Sequence, residues 1–322
     1  MFSARLIAAA LACAVAAPAL AQVKYPSKPI RMLVPNAPGS SVDVLSRIVA
    51  NGLSQVLGQS VVVDNRAGAA GVIGMEIARN ANPDGYTMIA ATTAASTIAR
   101  LLQKTPTFDP LVDYEIVAQF AETPNVLVVH PALPIRTVKE LIAYATAGKK
   151  SFHMASAGAG SQSHLSGAFF QQAARIDSLH VPYKGGGASV AAVVSGESHW
   201  TLTPAAAVMG QVNAGQVRAI GHSLPRPTAL LPGIPPIAET LPGFDYSGWQ
   251  GFFMPRGTPK PILERLRAAV AQALELPEVR KAIHALGVEI VIRGPDEFRK
   301  VVRESMEQNA RIVKALGLTA VD

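Results

Sequence analysis

The apolar positions along this chain switch repeatedly between short continuous runs and helical spacing. Ile30 to Val34 is a compact apolar run followed by the turn-rich loop Pro35-Asn36-Ala37-Pro38-Gly39-Ser40-Ser41. Val42, Leu45, Ile48, Val49, Leu53 and Val56 then recur three and four apart, which predicts a helix with one apolar face that stops at Gly58. Val61 to Val63 reads as a second strand, and Arg66 to Gly71 leads into a helix ending near Asn80. Tyr86 to Ala91, after the turn Asn82-Pro83-Asp84-Gly85, reads as a third strand. Strands alternating with helices predict a mainly parallel sheet.

The same order returns further on. Phe152 to Ala155 is a strand, Ser156 to Ser161 a Gly/Ser loop, and Leu165, Ala168 and Phe169 mark a helix face. Leu179 to Val181 is a strand, Lys184 to Gly187 opens a helix carrying Val190, Val193 and Val194, and His199 to Thr203 is a third strand. The chain is therefore expected to be α/β, with two similar α/β domains around a cleft. Val126 to Val129 lies between the halves, and the stretch from 225 to 242, with six prolines, is an irregular connection. The rest reads as a strand at Gly251 to Met254, helices around Ile262 to Ala273 and Pro277 to Leu286, a strand at Glu289 to Ile292 and a last helix from Pro295. A tail returning to the first domain gives residues 22–123 plus 244–322 as domain 1 and 124–243 as domain 2. Two chain crossings then form a hinge.

Composition narrows the class. The chain has 322 residues, of which 49% are hydrophobic and 16% charged, enough to bury a large core. Residues 1–21 read as a signal peptide: Arg5, an apolar stretch to Leu20, and Ala19-Leu20-Ala21 before Gln22. Cleavage after Ala21 removes Cys13, the single cysteine, and makes the chain an exported, periplasmic protein. The formal charge of +7 is scattered, its densest cluster being Lys149-Lys150, which argues against nucleic acid and leaves long-range attraction of small anions.

The candidate chemistry lies at two helix starts. A Gly/Ser loop feeding a helix presents free backbone N–H groups and the positive end of the helix dipole, which binds anions without a charged side chain. Pro38 to Asp43 and Gly158 to Ser163 both have this form, with Thr92, Thr93, Ser156, Ser161 and Ser163 as hydroxyl donors if the halves face each other. The plainer reading is that Gly and Ser serve turns and caps. Asp43 is either a helix-start carboxylate or a residue orienting the loop, and Lys184 either a solvated charge or an anion partner. No nucleotide-binding, G-x-S-x-G or H-x-x-x-H motif occurs, so no cofactor or metal is expected. A secreted serine-type hydrolase using Ser161 or Ser163 with His164 is the rival from another class, and a periplasmic sensory or adaptor module is a third reading.

Taken together, these segments resemble the Bug-type periplasmic receptors of tripartite tricarboxylate transporters. The resemblance is carried by Tyr25-Pro26-Ser27-Lys28-Pro29-Ile30-Arg31, Val34-Pro35 with Pro38-Gly39 and Asp43, and Asp64-Asn65-Arg66 with Gly68 and Gly71. It continues through Pro83-Asp84-Gly85-Tyr86-Thr87, Ala155 to Ser161 with His164-Leu165, and His180-Val181-Pro182-Tyr183-Lys184-Gly185-Gly186. Trp249 and Gly257-Thr258-Pro259-Lys260-Pro261 complete it. It implies a type II periplasmic binding-protein fold, a monomer without catalysis, and capture of a small carboxylate for separate membrane transporter subunits. Carried over by position, one carboxylate is held by Pro38, Gly39, Ser40, Ser41 and Asp43. The facing loop supplies Ser156, Gly160, Ser161, Ser163 and His164, with Tyr183, Lys184 and Gly186 beside it. The chain departs from the pattern at Ser40, Val42 and Ala99-Arg100, and at Thr203, where Asp or Asn is frequent. Losing that acid disfavours an amino-acid ligand and leaves a dicarboxylate as the expected cargo, with an aromatic one such as terephthalate ahead of an aliphatic one. Arg100 could pair a second carboxylate if it faces the cleft.

Overall fold

The computed structural model describes residues 25–147 and 152–318. The signal-peptide reading, Cys13 and Lys149-Lys150 lie outside the described residues. Two α/β lobes share one long strand. In the first lobe, β1 (Ile30–Val34) pairs in parallel with β2 (Val61–Asn65) and β3 (Thr87–Thr92). The sheet continues antiparallel through β9 (Ser247–Pro255), β4 (Tyr114–Val129) and β10 (Glu289–Arg293). In the second lobe, β5 (His153–Ser156), β6 (Leu179–Pro182) and β7 (Trp200–Pro204) run parallel to one another, while β8 (Arg218–His222) and β7 flank β4 antiparallel. Both sheets are thus mixed rather than mainly parallel, because β4 runs through both and pairs antiparallel in each.

The crossing sits inside β4. Its residues Tyr114 to Pro124 pair with β9, and Asn125 to Val129 pair with β7 and β8. Its first part, Tyr-Glu-Ile-Val-Ala-Gln-Phe-Ala, is buried almost throughout and lacks the polar-apolar alternation that marks a half-exposed strand. Helices α1 (Ser41–Leu57), α7 (Lys260–Glu275) and α8 (Pro277–His284) pack Leu45, Val49, Leu53, Leu266, Val270 and Ile283 on one face of the first sheet. On the other face, α2 (Val72–Arg79) and α9 (Pro295–Ala315) contribute Met75, Phe298 and Val302. The second sheet is covered by α3 (Val138–Thr146) and α4 (Gln162–Ala174) on one side. On its other side lie α5 (Gly186–Val194) and α6 (Ala205–Asn213).

Helix α9 adds a connection that the repeat pattern did not contain. It starts on the first lobe, yet Ile312 and Val313 in its last turns belong to the second lobe's core with Phe170, Phe244 and Tyr246. Asn309 sits between them: Tyr246 Oη donates to its Oδ1 at 2.9 Å, and its Nδ2 donates to Thr97 Oγ1 at 3.1 Å and Ser305 O at 2.8 Å. At the cleft mouth the lobes meet through backbone. A Cβ on Gly39 would lie 3.9 Å from Gly187 Cα, so the lobes stand closed. Among the described residues, no helix is long and apolar enough to cross a membrane.

Candidate functional site

The first wall of the cleft is made by the turn between β1 and α1. Gly39 has φ +77°, a left-handed conformation that costs an L side chain about 1–2 kcal/mol. Ser40 caps α1, its Oγ accepting from Asp43 N at 3.4 Å. Asp43 reaches back and accepts from Gly39 N at 2.9 Å, Asn65 Nδ2 at 2.9 Å and Arg47 Nε at 3.1 Å. Burial alone would raise its pKa, but the bonds from Arg47, Gly39 and Asn65 and the charge of Arg47 outweigh that and hold it below the usual carboxylate value. Asn65 also donates to Asn36 O at 3.0 Å, which ties the end of β2 to the turn. Ser41 and Val42, the first helical residues, keep backbone N–H groups with no acceptor inside the helix.

The opposite wall begins at α4. Ser161 caps this helix, accepting from His164 N at 3.2 Å, and Ser163 Oγ accepts from Ala157 N at 2.9 Å. The starts of α5 at Gly186 and α6 after Pro204 lie on the same cavity. The starts of four helices, each the positive end of a helix dipole, therefore border one space of about 70 Å³, and among the described residues no Lys, Arg, His, Asp or Glu lines it. By the ~10–15 Å³ that one water needs, the space holds several waters or one small organic molecule.

Eight of the residues singled out from sequence line this cavity: Ser40, Ser41, Thr92, Thr93, Ser161, Ser163, Gly186 and Thr203. The others lie behind or outside it. Pro38 and Gly39 are exposed at the mouth, and Asp43 faces the turn it holds. Ser156 is fully buried and bonded to His180 Nε2 at 2.6 Å. His164 stacks on His180 with ring centroids 4.1 Å apart, and its Nδ1 accepts from Gly160 N at 3.2 Å. Burial and the neighbouring His180 lower the His164 pKa to about 4, so this imidazole is neutral at ordinary pH. It braces the loop that contains Gly160. Tyr183 Oη turns away to Glu197 Oε1 and Ser198 Oγ, each at 3.0 Å, and Lys184 is exposed. Arg100 does not face the cleft; it pairs with Asp109 Oδ2 at 3.1 Å and Phe108 O at 3.0 Å.

Five polar lining residues were not among the site residues expected from sequence. Asn36 comes from the first turn, Thr123 from β4, Gln162 from α4, and Trp249 and Gln250 from β9. Gln250 Nε2 donates to Ser41 Oγ at 3.0 Å across 209 positions of sequence. These residues leave seven buried polar atoms without a protein partner: Asn36 Oδ1, Thr123 Oγ1, Gln162 Oε1 and Nε2, Thr203 Oγ1, Trp249 Nε1 and Gln250 Oε1. A buried polar atom left unpaired costs about 1–3 kcal/mol, so this concentration in one cavity marks a place built to bond something polar. Among the described residues, no three His, Cys, Asp or Glu side chains gather as a metal site.

Two lobes that share β4, closed over a cavity ringed by helix starts, have the architecture of a solute-binding protein. The sequence places it further: residues 45–318 match the model of the tripartite tricarboxylate transporter family receptor, and the chain belongs to that family. It is 33% identical to the protein BugT of Bordetella pertussis over 94% of this chain and 93% of the relative. A Rhodopseudomonas palustris protein with adipate superposes at a TM-score of 0.89, with 29% identity, over 92% of this chain and all of the other (100%). MatC from the same organism, with bound malate, superposes at 0.84 with 28% identity over 90% of this chain and 100% of MatC.

Proposed function

We propose that this chain captures a small dicarboxylate between its lobes and presents it to separate membrane transporter subunits, without chemical change. The observation that carries the reading is the convergence of four helix starts on a cavity with no charged side chain. The relatives with adipate and malate support the ligand class. Apolar walls from Val42, Ala94, Ala157, Pro204 and Ala207 suit the body of the acid, and an aromatic diacid such as terephthalate is the first candidate, since a ring has little entropy to lose. Micromolar affinity is about −8.2 kcal/mol. Over roughly a dozen heavy atoms this asks about 0.7 kcal/mol of each, well below the ~1.5 kcal/mol ceiling for small ligands. Residues 22–123 with 244–322, and 124–243, are the two units that close, with Phe244, Tyr246 and the last turns of α9 reaching across into the core of the second, after export and cleavage at Ala21, and the receptor works as a monomer. Ser40, Ser41, Thr92, Thr93, Ser161, Ser163, Gly186 and Thr203 touch the ligand, while Gly39, Asp43, Ser156, Gly160 and His164 hold the loops that do. Against the hydrolase reading stand the bond that His164 Nδ1 accepts from Gly160 N and the stacking of its ring on His180.

The test is a thermal-shift screen of aliphatic and aromatic diacids, monoacids and amino acids, followed by calorimetry. A ligand selective for the folded state raises the melting temperature by mass action. Stabilisation by diacids, with the acid recovered unchanged, is expected. Stabilisation by amino acids or monoacids alone would overturn the dicarboxylate assignment, and ester turnover lost in His164→Ala would overturn the receptor reading.

A further inference from the structure

One side chain in the cavity is built differently from the rest. Gln162 is the first residue of α4, its side chain is nine-tenths buried at 8% exposure, and both its Oε1 and its Nε2 are without a protein partner. Each of the other unpartnered lining groups leaves a single atom open. The amide belongs to the second lobe but lies against the first. A Cβ at Gly248 of β9 would stand 3.3 Å from Gln162 Nε2, 3.4 Å from its Cδ and 3.6 Å from Thr93 Oγ1. The absent side chain at 248 leaves the amide its place when the lobes are closed. Gln162 therefore offers one donor and one acceptor at the seam between lobes.

The chemistry of the matching group follows. A carboxylate has acceptors only, so it can take the Nε2 hydrogen but sets its own charge beside Oε1. A methylene or an aromatic C–H answers neither atom. A hydroxyl both donates and accepts, and one hydroxyl can bridge the two atoms of an amide or share them with the neighbouring hydroxyls of Thr123 and Thr203. Building on the dicarboxylate reading, we infer that Gln162 is a specificity residue that selects diacids carrying a hydroxyl over the same diacids without one. A site with buried groups set to bond a hydroxyl discriminates against the analogue lacking it, because those groups stay unpaired in the wrong complex.

Isothermal calorimetry on matched pairs tests this: succinate with malate, adipate with 2-hydroxyadipate, terephthalate with 2-hydroxyterephthalate. In whichever pair binds, the hydroxylated acid is expected to bind about tenfold tighter or more. Gln162→Met, which keeps the volume and removes both polar atoms, is expected to abolish the preference, bringing the two members of the pair to within about twofold of each other. Gln162→Ala is the second variant, with the same loss of preference expected. Equal binding of both members by the wild-type protein, or a preference that survives either substitution, would overturn the inference and leave the dicarboxylate reading standing. If no member of any pair binds, the dicarboxylate reading falls and this inference with it.

Discussion

Replacing Asp43 tests whether the first wall of the site is held from behind. The side chain is 5% exposed and takes bonds from Gly39 N, Asn65 Nδ2 and Arg47. In Asp43→Ala the Gly39 N–H loses a charged acceptor, worth about 1.5–3 kcal/mol. Asn65 loses a second such bond but keeps Asn36 O, which offsets part of its cost. Arg47 is 52% exposed, so its pairing adds no more than ~1 kcal/mol. The expected loss is about 3–4 kcal/mol, which for a chain of this size lowers the melting temperature by about 5–6 °C. Asp43→Asn retains an acceptor and should lose about half as much. The turn no longer holds the Ser41 and Val42 N–H groups in one orientation, so affinity for a stabilising acid should fall about tenfold or more. The pH dependence has a definite sign. Asp43 titrates below its unfolded value of about 3.9, so its contribution is complete above that value and is lost as pH falls through the lowered folded one. Circular-dichroism melts from pH 7 to pH 3, with calorimetry at pH 7, read both effects. An Asp43→Ala protein melting within about 2 °C of wild type, with an equally steep acid limb, would refute the bracing argument.

Two further outcomes follow from buried polar groups. Asn309→Ala strips partners from Tyr246 Oη and Thr97 Oγ1 where α9 joins the lobes, and should cost about 2–3 kcal/mol in denaturant unfolding; an unchanged midpoint would contradict it. His164 is neutral in the fold and titrates near 4, against about 6.5 unfolded. Its contribution is complete above 6.5 and is lost as pH falls toward 4, so His164→Gln should flatten the melting-temperature profile in that interval; an identical profile would count against the stacked, buried pair.

How much was legible in sequence depended on how far apart the cooperating residues lie. The α1 stripe, the Ser40 and Ser161 caps and the glycine at 39 were readable because cap, turn and periodicity are local features. The run before Val126 was missed as strand because its burial on both sides erases alternation. Helix α6 hides for a similar reason, its first five residues, Ala205 to Met209, all being buried and apolar. In the site, the two Gly/Ser loops were visible, but which of their residues face the cavity was not. Asp43 and His164 looked like ligand groups because their chemistry suits anions, and the structure turns both toward their own loops. Gln250 and Trp249 had one overlooked signal: a glutamine and an indole in an otherwise apolar strand need partners, and a strand crossing between lobes is where such partners meet.

The neutrality of the lining bears on how such a receptor can release what it binds. A buried Arg would carry its full charge in the open and the closed form alike, and would hold an acid after the lobes part. Helix starts act differently, since each supplies about 0.3–1 kcal/mol and fades within about a turn of the helix end. Helix α1 belongs to one lobe, and α4, α5 and α6 to the other. Only closure brings all four to one ligand, so opening removes attraction from at least one side without any proton or charge having to move. On the proposed reading, the difference in affinity between the two forms is what the ligand uses to close the protein. The same difference is what a membrane partner that favours the open form would use to empty it.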